Sequence, residues 1–325
     1  MEQTDPDQTD SPGLCTLTDG HAGNVRQAQS LARALGGGAR ALVLAPRAPW
    51  RWVAPRLLPG TAHAFGTAFH TLQMRPPRLA IGCGRQAALA TRLLRARGSR
   101  AVQILDPRID PSHWDLVVAP EHDGLTGPNV LNLLGSLNPV DDAWLADARA
   151  AFPSLAALPS PRIAVLLGGD SAHYRFDAAA FGRLATGLDA ASTTQSLMVT
   201  TSRRTPPGVV DAARQRWSGR ADTVLWCGTA DGPNPYAGLL AWADRIVCTP
   251  ESVNMLSEAC ATRAPVQVFE PDRVGGRPRR FIDALLRQGR IRDFVHGPAS
   301  FDGEPLRETA RIAAEVRARL DLPDR

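Results

Sequence analysis

The sequence predicts an α/β protein built from two Rossmann-like α/β/α domains facing a cleft. Three observations carry this. Short apolar runs alternate with stretches of helical period from Gly13 to Leu134, the alternation stops at a proline-rich stretch, and it restarts after Arg162 with the same rhythm. Strands separated by helices need crossover connections, which build parallel sheets covered by helices on both faces. With 325 residues and 44% apolar content, the chain is long enough for two domains that each bury their own core.

The elements follow in order. Residues 1–12 are acidic and polar and are expected to form a disordered tail. Residues 13–150 then read as the first domain: strand GLCTLTD, helix Asn24 to Leu35, strand ARALVLA, a helical stretch from Ala62 to Leu72, strand RLAIGCG, helix Arg85 to Ala96, and strands AVQILD, DLVVAP and VLNLL. The stretch AWLADARAAFPSLAALPSPR holds a short helix followed by three prolines among small residues, so residues 151–161 are expected to be the linker. Residues 162–300 form the second domain, with strands IAVLLGG, QSLMVTTS, TVLWC, DRIVCT and APVQVFE. Helices are expected between them at Asp177 to Leu188, Pro207 to Trp217, Tyr236 to Trp242 and Val253 to Ala261. In residues 301–325 an amphipathic helix, Leu306 to Leu320, is expected to pack back across the molecule.

Composition excludes several chemistries. The chain has no lysine, so a P-loop, a Schiff base and the Tyr–Lys pair of short-chain epimerases cannot be built. G-x-G-x-x-G is missing after the first strand, which disfavours a dinucleotide enzyme. The five cysteines lie apart without C-x-x-C, and no His, Cys or carboxylate cluster has zinc spacing, so a reduced compartment and no metal are expected. A net charge of +5 comes from dispersed arginines, which suits anionic small molecules or acidic lipid better than nucleic acid. There is neither a signal-peptide pattern nor an apolar run of about 20 residues. The expected location is cytoplasmic, with peripheral contact on the inner face of the cytoplasmic membrane as a further option.

The first strand leads through Asp19-Gly20-His21-Ala22-Gly23 into a helix. Gly20 and Gly23 allow close backbone approach to a ligand, while Asp19 and His21 can move protons. Asp19 is the first candidate for a general base and His21 the second.

Candidate donor-binding residues gather at strand ends of the second half. In LLGGDSAHYRFD, Gly168 and Gly169 open the backbone, and Ser171, His173 and Arg175 reach for phosphates or sugar; a tight turn with solvated polar groups is the alternative. In TTSRRTP, Thr201, Ser202 and Arg203 offer hydroxyls and positive charge to a diphosphate without metal; a solvated surface pair of Arg203 and Arg204 is the alternative. In CTPESVNMLSEA, Thr249, Glu251, Ser252, Asn254 and Met255 form a turn and helix start facing an anion, and Glu258 is placed for a ribose diol. The alternative there is an ordinary N-cap box.

This last segment, a strand, a small-residue turn, a helix with an interior glutamate and then a Pro-Val strand, resembles the donor-binding segment of GT-B glycosyltransferases. Examples are the lipid-linked GlcNAc transferase of peptidoglycan synthesis and the Kdo transferases. The resemblance implies phosphate contacts for Ser252 and Asn254 and a ribose contact for Glu258. A broader likeness runs through TDGHAGNVRQAQSLA, GCGRQAA, QILDPRID, DLVVAPEHD, NVLNLLGSLNPV, LLGGDSAHYRF, VTTSRRTP and NPYAGLLAWADRIVCTPESVNMLSEA. These stretches resemble the mitochondrial-fission "elongated mitochondria" family, which has many bacterial members. The resemblance implies a GT-B-like fold. The plant founder recruits a dynamin-related protein to the mitochondrial surface.

One segment, APRAPWRWVAPRLLPG, sets Trp50, Trp52, Leu57 and Leu58 beside Arg47, Arg51 and Arg56. Such a mixture suits an anionic membrane surface, and a proline-broken loop with packed tryptophans is the alternative. The leading expectation is a metal-independent glycosyltransferase that moves a sugar from a nucleotide-sugar donor to an envelope-type or lipid-linked acceptor. It needs no cofactor beyond its substrate. A non-catalytic GT-B-fold scaffold recruiting a partner at a membrane, or a GT-B-like sugar-nucleotide epimerase, remains open.

Overall fold

A computed structural model describes residues 13–191, 195–294 and 299–322. The chain divides into two compact units, residues 1–139 with 308–325, and residues 140–307.

The first unit contains β1 (Leu14–Thr18), α1 (Ala22–Ala34), β2 (Arg40–Val43), the single-turn α2 (Trp50–Val53) and α3 (Gly66–Met74). It continues through β3 (Leu79–Cys83), α4 (Arg85–Arg95), β4 (Arg100–Ile104), β5 (Leu116–Pro120) and β6 (Val130–Leu133). All six strands are parallel, in the order β2-β1-β3-β4-β5-β6. Central strands covered on both sides are apolar throughout, and β1, β3 and β5 are buried at every position. Side chains alternate between two cores: Leu79, Ile81 and Cys83 face one, while Ala80 joins Leu17, Phe69 and Leu94 in the other.

The second unit contains α5 (Asp142–Ala151), β7 (Arg162–Leu167), α6 (Ala178–Ala191), β8 (Ser196–Thr201), α7 (Pro207–Trp217) and β9 (Thr223–Trp226). It ends with α8 (Tyr236–Trp242), β10 (Arg245–Cys248), α9 (Val253–Cys260), β11 (Val266–Val268), α10 (Gly276–Arg287) and β12 (Ile291–Asp293). Its six strands are also parallel, in the order β12-β11-β10-β7-β8-β9. The last helix, α11 (Glu308–Leu320), belongs to the first unit. Ile312, Ala313, Val316 and Leu320 recur at helical spacing and enter the core shared with Leu31 and Ile81. The hydroxyl of Thr309 also donates to the Asn138 carbonyl at 2.8 Å.

Two expectations change. The division falls after Pro139, not at 151–161, because α5 packs on α8 and Arg149 Nε donates to the Ala241 carbonyl at 2.9 Å. The proline-rich stretch therefore lies inside the second unit. The sequence reading also passes over α10 and β12. Phe281, Ile282 and Leu285 give α10 a buried stripe, but its four arginines mask the apolar content of the segment. The expected tail, residues 1–12, lies outside the described residues.

Candidate functional site

In an open parallel sheet, ligands bind beyond the carboxyl ends of the strands where the strand order reverses direction. The chain leaves β1 toward β2 and then returns to β3 on the other side, so the reversal in the first sheet lies between β1 and β3. In the second sheet it lies between β7 and β10. Each reversal point carries a cluster of residues that the sequence singles out.

At the first, Asp19 follows β1 and its carboxylate is the hub. Asn24 Nδ2, in the first turns of α1, donates to Asp19 Oδ1 and Oδ2 at 3.0 and 3.1 Å, and the His21 amide donates to Oδ1 at 3.1 Å. His21 Nδ1 lies 3.1 Å from Asp19 Oδ2. The His21 side chain is 81% exposed and that of Asp19 18%. Asp19 is therefore fixed, and it orients an imidazole whose Nε2 edge points away from the carboxylate. Behind them, the Cys83 thiol contacts Asn24 Oδ1 at 3.6 Å, and its pKa is pushed well up by burial and then by the charge of Asp19. Gly84 completes the cluster: it has φ +91°, and a Cβ there would sit 2.7 Å from Asn24 Nδ2. Gly20 takes φ +80° to make the turn, and Gly23 lies in the first turn of α1. Asn24, Cys83 and Gly84 were not singled out from sequence.

At the second reversal point, the turns after β7 and β10 are locked to each other. The Gly168 amide donates to Thr249 Oγ1 and the Gly169 amide to Glu251 Oε1, both at 2.9 Å. A Cβ on Gly168 would overlap the Glu251 carboxyl, and one on Gly169 would overlap the Arg204 carbonyl. These glycines admit the protein's own groups, which corrects the expectation that they open backbone to a ligand. The next amides are used as well: Ser171 donates to the Tyr174 carbonyl at 2.9 Å, while His173 and Tyr174 donate to Ser171 Oγ, each at 3.1 Å. Ser171 is thus a turn residue, as the alternative reading had it. His173 and Arg175 are exposed, and the His173 ring covers Gly276 at the start of α10.

The turn after β8 behaves similarly. Ser202 Oγ accepts the Arg204 amide at 3.1 Å and meets Thr205 Oγ1 at 3.2 Å, so this hydroxyl serves the turn, whereas Arg203 is exposed. Thr201 is buried. Ser252 caps α9 by accepting the Met255 amide at 3.4 Å, the ordinary N-cap arrangement. Asn254 and Met255 are half-buried on the first turn of that helix. Glu258 is 2% exposed, and Tyr236 Oη donates to its Oε2 at 2.6 Å. A separate depression of about 390 Å³ between α5 and α8, near Thr262 and Arg263, lies at the amino ends of β10 and β11 and holds none of the expected residues.

In the tryptophan segment, Trp52 is 63% exposed, and Leu57, Leu58, Arg47, Arg51 and Arg56 are also exposed. Trp50 is different. It is half-buried with its ring against Gly60, so it does not belong to the surface that Trp52 offers. Among the described residues no helix is long and apolar enough to cross a membrane.

Comparison with known proteins places the chain. Two structures of similar fold are the UDP-GlcNAc 2-epimerases of Neisseria meningitidis, bound to UDP-GlcNAc, and of Methanocaldococcus jannaschii. Each is 12% identical with a TM-score of 0.51, covering 94% of this chain and 99% of the other. A Staphylococcus aureus MnaA–UDP structure aligns with a TM-score of 0.50 at 13% identity over 95% of this chain and 97% of that one. The architecture is therefore GT-B-like. The mitochondrial fission protein ELM1 of Arabidopsis thaliana is 30% identical over 78% of this chain and 66% of its own length, so the chain spans just under two thirds of that relative. An uncharacterized protein of Rickettsia prowazekii is 24% identical over 76% of this chain and 81% of its own. The family model described as mitochondrial fission ELM1 matches residues 22–320, and the chain belongs to that family.

Proposed function

We propose that the protein is a metal-independent glycosyltransferase of GT-B type, with the donor nucleotide assigned to the second unit and acceptor activation to the Asp19–His21 pair of the first. The observation that carries the reading is the pair itself: an anchored carboxylate orienting an exposed imidazole at a sheet reversal point. This geometry exchanges the order expected from sequence. His21 Nε2 takes the proton from the acceptor hydroxyl, and Asp19 stabilises the imidazolium that forms. The acceptor oxygen then bonds to the anomeric carbon as the bond to the diphosphate oxygen breaks. Arg203, Arg175 and the amino end of α9 offset the charge on the departing nucleoside diphosphate. Proteins of this fold are described in complex with UDP and UDP-GlcNAc, which makes a uridine nucleotide the first to try.

Calorimetry and thermal shift with UDP-, GDP-, CMP- and ADP-linked sugars test the donor assignment. Folded protein that binds none of them would sink it. His21→Ala is expected to keep nucleotide binding and abolish transfer. Product analysis with a single sugar nucleotide separates transfer from epimerisation, since an epimerase needs no acceptor.

A second reading, recruitment at an anionic membrane, is favoured by Trp52, Leu57 and Leu58 standing exposed beside Arg47, Arg51 and Arg56. Indole and aliphatic groups enter the interface while arginines meet acidic headgroups. Co-sedimentation with phosphatidylserine vesicles should be salt-sensitive and lost in Trp52→Ala. Equal pelleting of both proteins, or of neither, removes this reading.

A further inference from the structure

Glu251 lies at the reversal point between β7 and β10, yet the mechanism above leaves it without a task. Its side chain crosses from the β10 turn to the β7 turn, into the space left by the missing side chain of Gly168. Oε1 accepts the Gly169 amide at 2.9 Å, whereas Oε2 is buried and has no hydrogen-bond partner. The residue is 5% exposed. The ionisable groups that feel it are Arg204 in the turn after β8, Tyr174 in the loop after β7 and Cys248 at the end of β10. Burial pushes the Glu251 carboxyl up; Tyr174 and Cys248 are raised first by their own burial, and the charge of Glu251 adds to this only where that carboxyl is ionised.

We propose that Glu251 is a positioning residue that works as a neutral acid, clamping the turns after β7 and β10 while keeping negative charge away from a bound diphosphate. The proposal rests on the nucleotide-donor reading of the second unit. A carboxylate has two acceptor oxygens and no donor, and here Oε2 makes no hydrogen bond, while burial opposes the charged form more strongly than the residue's own amide, the Gly169 amide and the Thr249 hydroxyl favour it. Protonation on Oε2 leaves Oε1 free to accept the Gly169 amide as observed, and replaces a buried unpaired negative charge by a buried unpaired hydroxyl, which costs far less. Neutrality also reconciles a buried acid with an anion site. The amino end of α9 begins one residue beyond Ser252, and an ionised Glu251 would cancel the positive end of that helix dipole. Ionisation at high pH would loosen the clamp and weaken diphosphate binding together.

The test has three arms, run between about pH 6 and pH 9 so that ordinary carboxylates stay ionised. In ligand-free protein, the melting temperature of wild type relative to Glu251→Gln is expected to fall as pH rises. A folded pKa raised above the unfolded one gives stability that is present at low pH and lost as pH passes the folded value. A difference constant with pH overturns the proposal. In calorimetry with UDP, Glu251→Gln should hold its affinity to within about threefold at the upper pH, where wild type weakens about tenfold, the loss expected from a like charge near the phosphates. Parallel losses in the two proteins overturn the anion part. If Glu251→Gln fails to fold, carboxyl carbon NMR of glutamate-labelled wild type decides: one glutamate titrating above the rest is expected, and all ionised below about pH 6 overturns it. If wild type binds no UDP at any pH, the donor reading fails, while the melting and NMR arms still judge the neutral clamp.

Discussion

The Tyr236 hydroxyl donates a 2.6 Å hydrogen bond to Glu258 Oε2, joining the first turn of α8 to the interior of α9. Glu258 is 2% exposed, and a carboxylate at that depth depends on its donors. Tyr236→Phe keeps the ring and removes this one. The expected cost is about 1–2 kcal/mol, read as a lower urea midpoint with an unchanged slope. If Glu258 also receives a ribose, UDP affinity falls in parallel because its orientation is no longer held. Unchanged stability and affinity would show that the bond carries neither load.

Gly84 is expected to be irreplaceable for a reason that lies in the first unit's reversal point. Its φ of +91° already penalises any other residue, and an added Cβ would press on Asn24 Nδ2, the group that holds both oxygens of Asp19. Gly84→Ala should lower the proposed transfer by about ten- to a hundredfold, the scale at which small misplacements of catalytic groups act. Asn24→Ala should mimic it. Because both act through Asp19, the double variant is expected to be little worse than either single one. Additive losses would argue against a shared route.

What could be read from the sequence divides along range. The strands were legible because apolar runs such as LAIGC end at glycine or polar turns, and Asp19 and His21 were legible because they lie two residues apart in one loop. The clamps were not. Gly169 and Glu251 are 82 residues apart, and Cys83 and Asn24 59 apart; they meet only because β7 lies beside β10 and β1 beside β3. Strand order leaves no periodic trace along the chain. Two tryptophans separated by one residue are equally apolar on paper, and the fold buries part of Trp50 while leaving Trp52 in solvent. The arginine-dense α10 shows the opposite problem, since a strongly charged face hides a buried stripe of Phe281, Ile282 and Leu285.

The exposed tryptophan has a tether that can be cut without touching it. Arg85 opens α4 and donates from Nη1 to the Trp52 carbonyl at 2.9 Å and from Nη2 to the Arg51 carbonyl at 3.1 Å. Arg92 adds a 3.3 Å bond to the Pro55 carbonyl. Arg85→Ala should speed amide exchange across residues 50–58 while costing less than about 1 kcal/mol globally. Should vesicle binding depend on a fixed presentation of Trp52, it weakens in the same variant. Exchange unchanged in this segment would mean that the remaining contacts hold it alone.

Arg290 poses the sharpest stability question. Its side chain is 4% exposed, and it donates from Nε to the Cys260 carbonyl at 3.0 Å and from Nη2 to the Thr262 and Ala264 carbonyls at 2.8 and 3.2 Å. Among the described residues no carboxylate pairs with it. These carbonyls close α9 and the turn after it, so the negative end of the helix dipole takes the place of a counter-ion. Burial lowers its pKa, with Cys260 and then Cys248 opposing. Arg290→Met fills similar volume but leaves three buried acceptors without this donor, at an expected cost of about 2–4 kcal/mol. Lysine keeps the charge but lacks the planar fork, so Arg290→Lys should fall between the two. Urea denaturation ranks them, with wild type first and methionine last. A methionine variant as stable as wild type would mean that desolvating the cation costs as much as its hydrogen bonds return, the balance found for many buried ionic groups.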